Sequence, residues 1–124
     1  MNLKARKLRS LAQAEVERLQ ARLPADIREL AQGVPVHFRA RPDPDIAREL
    51  GEDLLGLFSG EAYAEIGETL VPSPAQIHLF LENLWWEAEE SPKRFREEVG
   101  VTYLHELGHY LGWDEDEIAA RGIG

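Results

Sequence analysis

Residues 101–116 read VTYLHELGHYLGWDED, and the rest of the chain is arranged around them. On a helix the four-residue step from His105 to His109 puts both imidazoles on one face, one turn apart, where they can share a tetrahedral metal ion. Glu106 stands beside the first of them. This is the HExxH arrangement, in which the histidines hold zinc and the glutamate serves as general base toward water at the metal. Gly112 follows His109 by three residues and can take the left-handed conformation, which suits a helix stop and a sharp reversal. Glu115 comes three residues later. A carboxylate just past such a turn can swing back as third protein ligand and leave a fourth position open, the pattern of a catalytic zinc site. Asp114 and Asp116 flank it and compete for the role. The plainer account, an amphipathic helix with a solvated acidic face, leaves the histidine spacing, the turn and the carboxylates as separate accidents.

Length and composition narrow the setting. A chain of 124 residues is one domain, 1–124, large enough for a real hydrophobic core, and 44% hydrophobic with 30% charged residues is the balance of a globular protein. No apolar run approaches the ~18 residues of a membrane span. The N-terminal stretch MNLKARKLRSLAQAEVERL is charged throughout and lacks the apolar core of a secretory signal, so a cytoplasmic location is expected. With 0 cysteines, a metal must be held by nitrogen and oxygen ligands, which leaves histidine and carboxylate. Charge is uneven: through residue 41 nine Lys or Arg face four Asp or Glu, a surplus of +5, so the remainder carries -14 of the total -9. A basic first helix on an acidic body is more often a solvated face complementing what it packs on than a nucleic-acid contact.

Periodicity supplies the elements. Leu8, Ala12, Val16, Leu19 and Leu23 form a stripe over a first helix, residues 5–23, stopped by Pro24. Ala25 to Gln32 reads as a short helix or turn, and Val34 to Arg39 alternates as a strand near an edge or strand start, given Pro35. After the RPDPD turn and one helical turn over Ile46 to Leu50, the run Leu54 to Ser59 reads as a second strand. Residues 61–74 read as a long surface loop, with or without a short helix, of the kind that lines binding clefts. Gln76 to Glu82 alternates as a third strand, a candidate for holding extended substrate by edge pairing. His78 on it has no partner at ligand spacing and is read as structural or substrate-facing. A short helix over Leu84 to Glu89 carries Trp85 and Trp86, which cover the core or flank the cleft. Ser91 and Pro92 then make a good start for a helix running to Leu111, with Gly100 and Gly108 allowing close approach by a strand or the metal loop. A last helix is expected over Asp116 to Arg121.

The runs LLGLF, QIHLFLENL and EEVGVTYLHELGHYLGWDEDEIAARG resemble the minimal zincin family, a zincin-like metallopeptidase domain, over about the C-terminal two thirds of the chain. In HELGHYLGWDE, His105, Glu106, His109 and Gly112 match the family motif, and Glu115 stands where that family usually has aspartate or serine. The resemblance implies an α+β fold, a small single domain with a mixed sheet of about three to four strands packed against an active-site helix. It also implies a Zn2+ site working on a peptide or protein substrate. The expected reaction is hydrolysis of peptide or amide bonds, with metal ligands His105, His109 and Glu115 and catalytic Glu106. Tyr63, Tyr103, Tyr110 and His78 are the groups on hand to stabilise an oxyanion. The alternative is a metal-binding interaction module without turnover, against which the presence of a base at Glu106 argues.

Overall fold

The computed structural model describes residues 3–62 and 73–120. Its central element is α5, Pro92–Tyr110, which starts as its sequence requires: the Ser91 hydroxyl accepts from Arg94 N at 3.3 Å, and Pro92 takes the first helical position. Phe95, Val99, Tyr103 and Leu107 recur at four-residue steps and are fully buried, so this stripe is the middle of the core. On one side of it lies α1, Leu3–Arg22, whose Leu8, Ala12 and Val16 supply the matching stripe. Gly100 is the contact point between the two helices, since a Cβ there would sit 3.2 Å from Leu19 Cδ1. The close approach is thus by a helix, not by a strand or the metal loop. Gln20 Nε2 donates to the Tyr103 hydroxyl at 2.9 Å beside it.

On its other side α5 packs against a three-stranded mixed sheet of order β1-β3-β2, where β1 is Val36–Arg39, β2 is Gly56–Ser59 and β3 is Gln76–Phe80. Strand β1 runs parallel to β3 with His37 opposite His78, and β2 runs antiparallel to it with Gly56 opposite Leu79. Ile77 and Leu79 are fully buried toward the helices, and the alternation of a strand sends His78 to the other face. The fold is α+β, with six helices among the described residues, and agrees with the expected architecture at its lower strand count.

Several expectations need correction, among them the start of the second strand, which begins at Gly56 rather than Leu54. The third strand is the middle strand of the sheet, its backbone paired on both sides, so it cannot take up an extended substrate. It also ends at Phe80, and α4 spans Leu81–Glu87 rather than starting at Leu84. Leu81 satisfies both patterns, continuing the alternation of β3 and standing three residues before the buried Leu84, which is why periodicity extended the strand too far. The first strand begins at Val36, because Val34 N is bonded to Ala31 O at 3.1 Å in the turn that closes α2, Ala25–Gln32. The last helix, α6, spans Glu115–Ala120, starting one residue early, and the expected end at Arg121 and Gly122 lies outside the described residues. So does most of the loop read as cleft-lining, although Glu61 N donates to Ser73 O at 2.9 Å and joins its two ends.

Two connections place β2. The short α3, Pro44–Leu50, is capped by Asp43, whose carboxylate accepts from Ile46 N at 3.1 Å. Beyond it the buried Asn83 of α4 donates to the carbonyls of Glu52 and Leu54 at 2.8 and 2.9 Å, pinning the chain just before it enters β2. One tryptophan of α4 is structural: Trp85 meets Phe95 edge-on at 5.8 Å. Trp86 is 48% exposed and lies under the Arg41 guanidinium at 5.0 Å.

Candidate metal centre

The last two turns of α5 bring together His105, Glu106 and His109, each half-buried on the side away from α1, with one ligand atom from each within 4.8 Å of the others. The two imidazole centroids are 4.7 Å apart with ring planes at 81°. Zinc bonds to imidazole nitrogen at about 2.0–2.1 Å in tetrahedral geometry, so two nitrogens converging from one helix face fit it with ordinary rotamer adjustment. The donor set, nitrogen with neighbouring carboxylate oxygen, is chemically a zinc set.

The backbone around His109 is tied off as the sequence implies. Gly112 has φ of 81°, Trp113 N donates to Gly108 O at 2.9 Å, and Gly112 N donates to His109 O at 3.0 Å. These two bonds are a Schellman motif, and the positive φ is what glycine supplies without strain. Asp114 then caps α6, its carboxylate accepting from Glu117 N at 2.8 Å. Of the two carboxylates flanking Glu115, Asp114 is thus engaged at the helix start, and Asp116 is exposed. Glu115 is the first residue of α6, and its side chain lies outside the described residues.

Strand β2 forms the wall beside Glu106. A Cβ added at Gly56 would meet Thr102 Cγ2 at 2.5 Å, the His78 carbonyl at 3.3 Å and Glu106 Cγ at 3.5 Å. Only glycine lets the strand lie this close to the helix one turn before the histidines. Gly56, Thr102 and Asn83 are the positioning residues that sequence reasoning missed. The signal was a glycine inside the apolar run LLGLFS, which was read only for its strand period.

The matched stretch runs over residues 31–124, where a profile of zincin-like metallopeptidases fits the chain. The chain belongs to the zincin-like metallopeptidase family. No curated protein sequence matches it. In this zincin-like domain the proposed oxyanion groups divide sharply. Tyr103 is fully buried, bonded to Gln20, and its hydroxyl pKa is raised by burial, so it serves the core. Tyr110 is buried and lies 6.0 Å from the Phe58 ring. Tyr63 lies outside the described residues. His78 occupies the opposite face of the sheet from α5, stacked on His37 at 5.1 Å with Nε2 3.2 Å from Ser59 Oγ, and takes no part at the metal centre. The structural half of its expected role holds.

Proposed function

We propose that this domain hydrolyses peptide or amide bonds with zinc, held by His105 and His109 and completed by Glu115. The observation that carries the reading is the convergence of His105, Glu106 and His109 within 4.8 Å on the solvent side of a helix whose other side is core. Zinc supplies Lewis acidity there and lowers the pKa of water to about 7. The Glu106 carboxylate takes the proton from the attacking water and later delivers it to the leaving amine nitrogen, the general base and acid of one cycle. Strand β2, an outer strand of the sheet among the described residues, runs beside Glu106 and offers main-chain groups to an extended substrate in place of β3. Val101, 50% exposed and one turn ahead of His105 on the same helix face, gives that channel an apolar floor suited to a polypeptide side chain.

No helix among the described residues is long and apolar enough to cross a membrane. We place the reaction in the cytoplasm, the setting expected from the sequence.

The test pairs metal analysis with cleavage of a peptide library by the zinc-loaded chain and its Glu106→Gln variant. One zinc per chain in both, with cleavage by the first alone, is expected. Equal cleavage by the two, or none by either at full zinc occupancy, overturns the hydrolase reading, and the second of these leaves a metal-binding module without turnover.

A further inference from the structure

A second recessed surface lies across the sheet from β2. Between the first turns of α1 and the outer side of β1 runs a groove of about 150 Å³, walled by Lys4, Arg9, Phe38, Ala40, Leu81 and Glu82. Its floor is apolar, since Leu8 and Leu81 are buried and Phe38 is half-buried. Its rim is cationic. Lys4, Arg9 and Arg39 are exposed and among the described residues none is held in an ion pair; Arg9 stands 5.8 Å over the Phe38 ring, Lys4 5.8 Å from the Trp85 ring, and Arg39 Nε donates to His78 Nδ1 at 3.4 Å on the other face of the sheet. The one carboxylate on the rim, Glu82, already faces Arg41 at 3.6 Å.

The backbone beside the groove is unusual for an apolar hollow. Among the described residues β1 pairs with β3 alone, and the Pro35 carbonyl accepts from Ile77 N at 3.0 Å. By the alternation of a parallel ladder, Val36 and Phe38 therefore turn their N–H and C=O groups to the outer edge. Apolar floor, cationic rim and outward amides along one line match a particular occupant. We infer that the α1–β1 groove docks an extended acidic segment of a partner polypeptide, paired to the edge of β1, with the apolar side chains of one face on Leu8, Phe38 and Leu81 between the cations Lys4 and Arg9, and the alternating carboxylates of its other face toward Arg39.

Charge complementarity selects this occupant over two others. The chain beyond residue 41 carries -14, which repels a polyanion with closely spaced phosphates at long range, whereas a short acidic segment meets mainly the local cations. A second copy of this chain would have to offer its own acidic run, yet Glu115 to Glu117 are wound into α6 and Asp114 caps it, so they are not an extended strand. The docking is independent of the metal centre, because α5 packs on β2, β3, α1 and α4 and the groove lies at the opposite edge of the sheet.

The probe is a short fluorescein-labelled peptide alternating aspartate with leucine, followed by fluorescence polarisation on the full chain carrying Glu106→Gln so that it is not cut. Saturable binding is expected, weaker as salt rises, and about tenfold weaker when Arg9→Glu and Arg39→Glu are combined. N-methylation of alternate peptide residues should abolish binding to the otherwise unchanged protein, and His105→Ala should leave it unaltered. The inference is overturned by no saturable binding, by equal affinity for a peptide with lysine in place of aspartate, or by tighter binding of a single-stranded oligothymidine. Loss of binding in His105→Ala would put the peptide at the metal centre instead, and self-association abolished by Arg9→Glu would assign the groove to a second copy. Either result also overturns it.

Discussion

Replacing Gly56 by alanine tests the spacing between β2 and the metal helix. The new methyl would lie 2.5 Å from Thr102 Cγ2, against an ordinary carbon–carbon separation of about 3.5–4.0 Å, so strand or helix must yield by about 1 Å. Neither yields easily. Thr102 is buried with a β-branched side chain that has few helical rotamers, and β2 is held by its ladder to β3 and by Asn83. Overpacking of this kind costs about 1–3 kcal/mol, which for a domain of this size lowers Tm by about 5–10 °C. Thr102→Ser deletes the clashing methyl and on its own should cost under about 1 kcal/mol. The double variant Gly56→Ala, Thr102→Ser should therefore be more stable than Gly56→Ala alone, with a coupling of about 1 kcal/mol or more in a double-mutant cycle followed by thermal and urea unfolding. The same ~1 Å displacement of the wall beside Glu106 should reduce peptide cleavage by about 10- to 100-fold while zinc content stays at that of the parent, since the ligands ride on α5. Additive effects in the cycle would refute the reasoning, because then the methyl at Thr102 is not what the new side chain meets.

Changing His105 or His109 to alanine should abolish zinc binding by metal analysis while the circular dichroism spectrum stays native, because both side chains stand outside the buried stripe of α5. Glu115→Ala should weaken zinc affinity at least ~10-fold in a chelator competition, whereas Asp114→Ala should lower stability by about 1 kcal/mol through its lost cap; a reversal of these two results would assign the third ligand to Asp114. The His78 imidazole is held below its usual 6.5 by burial and then by the neighbouring His37 and Arg39, with Asp43 opposing. Since the unfolded chain takes up that proton first, the contribution to stability is complete above about pH 6.5 and declines as pH falls through the lowered value. Unfolding of His78→Gln should be less sensitive to acid over that window, and an unchanged slope would count against it.

What was legible in the sequence follows from how local each signal is. The metal helix announced itself through Ser91 and Pro92, the stripe from Phe95 to Leu107 and the glycine stop, all of which act within a turn or two. Val36, Leu57 and Ile77 fell inside strands because alternation is likewise local. Strand order is not local, so nothing in the run from Gln76 to Phe80 disclosed that it lies between the other two. The overextension of β3 to Glu82 came from Leu81, a residue that serves either period. Tyr103 illustrates the same limit at the site: its position two residues before His105 put it near the metal in sequence, but the helical turn carries it to the α1 side, where Gln20 meets it. The wall at Gly56 depends on a contact between residues 46 apart and could be found only in space.

The closed turn at Gly112 has a thermodynamic consequence. With the carbonyls of Gly108 and His109 both engaged, the peptide carrying the second histidine is immobilised by folding itself, on a helix whose rear face is core. On the proposed zinc reading, the two histidines are thus preorganised on a helix that folding has already fixed. The domain therefore differs from a zinc finger, where metal affinity and folding are one equilibrium. Chelation should leave a folded protein with amide hydrogens of α5 still slow to exchange. Loading and unloading of the ion should then require no unfolding of the domain.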